Sequence, residues 1–137
     1  MKLKIFLLFT LFIFGCSQNI TLNQIEKYNT SIINQDTTSI IERIKKYYEN
    51  IDYIPINFDE QKGQFIFRSK YFSIEGSEIR TYIKSIVSIK KLNNNQSKLT
   101  LFIFQSEAMP PNKNINDKDI LIYDELVYKS FFSEIQR

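Results

Sequence analysis

Two hydrophobic periods divide the chain. Ile40, Ile41, Ile44, Tyr47, Tyr48 and Ile51 recur at steps of three and four, while Glu42, Arg43, Lys45, Lys46 and Glu49 fall mainly on the opposite side. That spacing predicts an amphipathic helix from about Thr38 to Asn50 with one packed face. Ser39 and Glu42 stand at the S-x-x-E spacing of a capping box, in which each side chain takes up a free backbone N–H at the helix start.

From Tyr53 the period becomes two. Ile54, Ile56 and Phe58 alternate with Pro55 and Asn57. Proline has no N–H to give a ladder, so this strand is expected at an edge or bulged at Pro55. Asp59 to Gly63 has turn composition and leads to a short apolar strand, Gln64 to Arg68, which closes a hairpin. The longest alternation runs from Ser77 to Lys90. Ile79, Thr81, Ile83, Ser85, Val87 and Ile89 share one face, and Arg80, Tyr82, Lys84, Ile86, Ser88 and Lys90 the other. Asn93, Asn94 and Asn95 form a turn, since Asn tolerates left-handed backbone. A fourth strand, Lys98 to Ser106, has large apolar groups on both faces and is placed centrally.

Residues 107 to 118 are a polar loop with Pro110 and Pro111, and a closing helix is expected from about Asp119 to Ile135. Its stripe is Ile120, Tyr123, Val127, Phe131 and Ile135, widened by Leu121, Leu126 and Phe132. Asp119, Asp124 and Glu125 come early and Lys129 late, which suits the helix dipole. The expected fold class is α+β: an amphipathic helix, a four-stranded antiparallel sheet, and a C-terminal helix packed on one sheet face. About 120 residues beyond the N-terminal apolar run suffice for one domain, assigned to residues 36 to 137.

The N-terminus follows neither period. Lys2 and Lys4 precede an apolar run from Ile5 to Phe14 broken only by Thr10, and Ser17 to Asn19 end it sharply. This is the layout of a secretory signal peptide, residues 1 to 15. Ten apolar residues fall short of the roughly 20 that a spanning helix needs. The run ends in Ile13-Phe14-Gly15-Cys16.

These four residues resemble the lipobox of bacterial lipoproteins. The resemblance implies cleavage between Gly15 and Cys16 by signal peptidase II, a diacylglyceryl group on the Cys16 thiol, and acylation of the new N-terminus. Phe14 departs from the pattern, which has a small or β-branched residue at that place. Residues 16 to 35 then hold the lipidated cysteine and a tether rich in Asn, Gln, Ser and Thr, whose part from Ile25 to Ile33 could be a helical turn or an edge strand. Two or three acyl chains make an effectively permanent anchor. In proteobacteria, Ser17 rather than Asp after the cysteine implies transfer to the outer membrane, facing the periplasm.

Composition narrows the chemistry. Without Lys2 and Lys4 the 18 basic residues fall to sixteen against fifteen acidic ones, a side-chain charge of +1. Such a balance offers no electrostatic footprint for nucleic acid. Histidine is absent and cysteine occurs once, which removes the usual general base, thiolate metal sites, internal disulfides and the Ser-His and Cys-His pairs. Ser69 and Lys70 are adjacent, but adjacent residues on a strand point to opposite faces. Asp59-Glu60 and the Glu75/Glu78 pair lie in turns without calcium-loop spacing. Three glycines, Gly15, Gly63 and Gly76, build no phosphate cradle. No cofactor and no metal are expected, and the chain is not expected to be an enzyme.

Twelve Phe and eight Tyr remain to be placed. Phe65, Phe67, Phe102 and Phe104 suit a core. If one sheet face is uncovered, Tyr82, Phe102 and Phe104 form an apolar patch for a partner or lipid. The order helix, D-x-x-x-G turn from Asp59 to Gly63, strands, helix is similar in layout to small accessory lipoproteins of β-barrel assembly, which carries over no site residue. The expectation is a lipid-anchored envelope protein that acts as a non-catalytic binding or scaffold module with a protein partner. The alternative is an inhibitor or immunity lipoprotein that blocks a toxin or hydrolase through a protruding loop such as residues 107 to 118.

Overall fold

In the computed structural model, the described residues are 27–73, 79–108 and 118–137. The signal segment, Gly15, Cys16, the Glu75/Glu78 turn and Pro110-Pro111 lie outside them. The elements are β1 (Thr30–Ile33), α1 (Thr37–Asn50), β2 (Ile54–Asp59), β3 (Gln64–Arg68), β4 (Phe72–Ser73), β5 (Arg80–Asn93), β6 (Gln96–Ala108), β7 (Lys118–Leu121) and α2 (Glu125–Gln136).

All seven strands belong to one antiparallel sheet in the order β1-β6-β5-β3-β2, with β4 also on β5 and β7 also on β6. The class is α+β, but the strands among the described residues number seven where alternation alone predicts four. The three further strands are short, and β1 takes the edge-strand alternative of the two open for Ile25 to Ile33. β1 and β4 have four and two residues, too few to display a period. β7 is Lys118-Asp119-Ile120-Leu121, whose two apolar residues fit a helical stripe as well as a strand. These segments are strands because β5 and β6 are long, and their free N–H and C=O groups need partners along both outer edges. β1 covers Ser97 to Thr100 of β6, and β7 covers Phe104 to Glu107. β6 is thus an interior strand, flanked by β5 on one side.

The closing helix begins at Glu125 rather than Asp119. Asp124 is its N-cap, the carboxylate accepting from Leu126 N at 2.9 Å. Likewise α1 is capped by Asp36, not by a box on Ser39. Asp36 accepts from the Ser39 backbone N at 3.0 Å and from its hydroxyl at 2.6 Å, and these bonds hold its pKa below the ordinary carboxylate value. An Asp three residues ahead reaches the same N–H with a charge-assisted bond, so Ser39 serves as donor instead of cap.

β2 is an edge strand, and its register shifts between Pro55 and Asn57. Both consequences expected of the proline therefore occur together. In the turn to β3, Gly63 has φ +61°, and a Cβ there would lie 2.4 Å from the Ile89 carbonyl oxygen. The close approach lets Ile89 N donate to Gly63 O at 2.7 Å. The β5–β6 turn uses its asparagines through their side chains. Asn95 N donates to Asn93 Oδ1 and Asn93 Nδ2 to Gln96 Oε1, and Asp52 is the one non-glycine residue with positive φ among the described residues.

Alternation sorts the sheet into two faces. On one, Phe65, Phe67, Val87, Ile89, Leu99, Leu101 and Ile103 are buried against Ile40, Ile44 and Tyr48 of α1 and Tyr128, Phe131, Phe132 and Ile135 of α2. The helices run antiparallel, with Arg43 donating to Ile135 O at 3.2 Å and the Tyr47 and Phe131 rings edge to face at 5.1 Å. Tyr48 stacks on Phe67 at 4.0 Å, which fastens α1 to β3. The opposite face has no helix over it among the described residues.

Candidate functional site

Where α1 ends, the chain turns sharply. Asp52 has φ +58°, its N–H reaches Glu49 O at 3.0 Å, and Tyr53 N reaches Tyr48 O at 2.9 Å. These bonds satisfy the last carbonyls of the helix in the manner of a left-handed C-terminal cap. The turn swings Tyr53 and Ile54 out along the sheet edge. Because β2 is bulged just after Pro55, its start does not close onto α1, and a groove of about 630 Å³ stays open between them.

The floor of the groove is Tyr53, Ile54, Pro55, Phe58 and Phe67, and its rim is Lys45, Glu49, Asp52 and Lys70. The volume lies within the range of about 300–1,000 Å³ usual for small-ligand pockets, and an apolar floor with a few charged groups is their common composition. The rim charges are partly committed to one another. Lys45 donates to Glu60 at 3.0 Å with its ammonium 4.3 Å from the Phe58 ring centre, and Lys70 pairs with Asp52 at 3.4 Å. A second hollow of about 250 Å³ shares Tyr53 and opens between the facing ends of α1 and α2, over Ile83, Ile103, Ile122 and Val127. Ile51 and Val127 at its margins, and Ile54 in the neighbouring groove, are more than two-fifths exposed. The two hollows adjoin at Tyr53.

Burial raises the pKa of Tyr53, and burial with the nearby Glu134 carboxylate raises that of Tyr47, so both phenols stay protonated at neutral pH. The Ser69 hydroxyl accepts from Ile83 N at 2.9 Å and donates to Lys70 O at 2.8 Å, while the Lys70 ammonium turns to Asp52. The Ser69 hydroxyl is therefore engaged with backbone groups and the Lys70 ammonium with Asp52. Asp59 accepts from Lys62 N and Glu60 pairs with Lys45, so these two carboxylates point to different partners. No group of three or more His, Cys, Asp or Glu side chains converges among the described residues.

The three aromatics singled out from the sequence fall on the helix-free face. Phe102 and Phe104 are half-buried, their rings 6.4 Å apart and nearly parallel. Tyr82 shares the face, opposite Ser106, but is only 5 % exposed because Tyr71 packs edge-on against it at 5.4 Å. Arg68 stacks 4.5 Å over Tyr71 in turn. The structure thus joins Phe102 and Phe104 and covers Tyr82. In its place, Ile86 lies directly across from Phe102, and Ile66 across from Ile86. The sequence marks the groove residues Tyr53, Pro55 and Phe58 only as strand positions. Pro55 was the available signal, since a bulged edge cannot pack flush against its neighbour.

No family model matches the chain, and no curated protein shows significant similarity to it.

Proposed function

We propose that this chain is a lipid-anchored protein of the bacterial cell envelope that acts by binding a protein partner, on the periplasmic side of the outer membrane. Its address rests on the order of basic residues, apolar run, Gly15 and Cys16. Its mode of action rests on one observation: the apolar groove between α1 and β2, whose floor offers area for a partner's hydrophobic side chains and whose rim offers paired charges. Exposed Ile54 and Ile56 on the edge strand extend that contact surface.

Two measurements test the two halves. Intact mass of the protein purified from its host is expected to show loss of residues 1 to 15 and added acyl mass, both abolished by Cys16→Ser; an unprocessed, unacylated parent chain would remove the anchor. A photo-crosslinking phenylalanine analogue in place of Ile54 is expected to capture a discrete envelope protein, and the same analogue in place of Lys46 on the solvent side of α1 to capture none. Equal patterns from both positions would refute the groove as the binding surface.

A further inference from the structure

The helix-free sheet face has its own chemistry. Four half-buried apolar side chains, Ile66, Ile86, Phe102 and Phe104, form a contiguous patch on β3, β5 and β6. Cations flank it on both sides. Toward one end Lys84 and Arg68 are cross-strand partners, the Lys84 ammonium 5.4 Å from the Phe104 ring centre and paired with Asp119. Toward the other, Lys90 and Lys98 stand directly opposite each other, both exposed, with 57 %-exposed Ile32 next to Lys98 on β1. Like charges directly opposed on neighbouring strands destabilise a sheet. Among the described residues no acidic side chain pairs with either lysine.

We propose that this face lies on an anionic phospholipid bilayer. Its apolar patch sits at the level of the interface, and Lys90 and Lys98 contact headgroup phosphates, which relieve their mutual repulsion. Aromatic and aliphatic groups beside lysines are the composition that binds such an interface. The proximity of the bilayer rests on the anchor reading. Eleven peptide units separate Cys16 from Lys27, a reach of at most about 40 Å at 3.3–3.6 Å per residue. A tether that short keeps the effective concentration of lipid high, so a weakly binding face is occupied. Lying face down turns both helices and the groove toward the aqueous compartment, where a protein partner can reach them.

The test uses the full chain purified from its host and mixed with vesicles of phosphatidylcholine, with or without phosphatidylglycerol, carrying a headgroup-region nitroxide quencher. A fluorophore on Ser88→Cys, in the middle of the face, is compared with one on Lys46→Cys on α1. Quenching at Ser88 well above that at Lys46 is expected with phosphatidylglycerol, weakening without it and at about 1 M salt, where the screening length falls to about 3 Å. Lys90→Ala with Lys98→Ala is expected to shift the face-down equilibrium by about 25-fold, at about fivefold per lysine near an anionic surface. Equal quenching at the two positions, or more at Lys46, overturns the proposal, as does a Ser88 site buried against a second copy of the chain. Flotation and intact mass separate the two readings. A chain that floats with acyl mass but without preferential Ser88 quenching loses the face and keeps the anchor. A chain quenched at Ser88 without acyl mass keeps the face and loses the anchor, and one that neither floats nor carries acyl mass loses both.

Discussion

Tyr128 shows how much one side chain can hold. Its hydroxyl accepts from Ile103 N at 3.3 Å and donates to Ile122 O at 3.0 Å, while its ring joins the core at 3 % exposure. It therefore bridges β6 to the segment that leads from β7 into α2. Tyr128→Phe keeps the ring and leaves Ile103 N–H without that partner in a dry place, at a cost of about 1–3 kcal/mol. Urea denaturation of the two proteins measures it, and an unchanged midpoint would mean that the hydroxyl is not a structural bridge. Sequence periodicity marks Phe131, Phe132 and Ile135 but not Tyr128: the predicted stripe takes Leu126 and Val127 in the first turn of α2, which are 75 % and 41 % exposed, whereas Tyr128 beside them is buried. The opposite holds for Ile40, Ile44 and Tyr48, which were legible because α1 begins where its own periodicity begins.

Whole elements depend on partners that lie far away in sequence, and β7 is the clearest case. It is held to the sheet by backbone pairing with Phe104 to Glu107 and by Asp119, which accepts from Ser106 Oγ at 2.6 Å and pairs with Lys84. Burial alone would raise the Asp119 pKa, but the bonds from Lys84 and Ser106 and the charge of Lys84 outweigh it and leave the value below its ordinary 3.8. A depressed carboxylate adds stability that is fully present above its unfolded value and is lost as pH falls through the folded one. The advantage of the parent over Asp119→Asn is accordingly expected to be constant near neutrality and to shrink below about pH 3.8, in denaturant titrations at a series of pH values. An advantage that grew toward acid would contradict the pairing. None of this was visible in Lys118 to Leu121, since a four-residue edge strand takes its identity from the neighbour that needs its hydrogen bonds. β2, by contrast, announced itself through Pro55, which acts on the backbone wherever it stands.

For the molecule as a whole, the decisive structure is the β5–β6 pair, which separates a helix-covered core from a face over which the described residues place no helix. Ile103 lies on the core side at 7 % exposure, among Tyr47, Tyr48, Ile122 and Phe131 around the smaller hollow. Ile103→Asp is expected to abolish cooperative unfolding seen by circular dichroism, because a carboxylate there has neither water nor a partner. A folded variant would show that the hollow admits solvent to the sheet. No helix among the described residues is long and apolar enough to cross a membrane. Membrane attachment in the proposed function therefore rests on Cys16 and, in the further inference, on the helix-free face.

Alternation and helical spacing determined, from the sequence alone, which residues of β5 and β6 share a face, that α1 and α2 each have an apolar side, and that β2 is interrupted. These are local properties, set by the chain's own geometry within a few residues. Only the tertiary structure decided that Thr30 to Ile33 and Lys118 to Leu121 are strands, that Tyr82 is covered while Ile66 and Ile86 complete the aromatic patch, and that α1 and β2 part to leave a groove. Each of those outcomes depends on hydrogen-bonding groups or surfaces brought together from distant parts of the chain, and no local period encodes what a segment will find beside it.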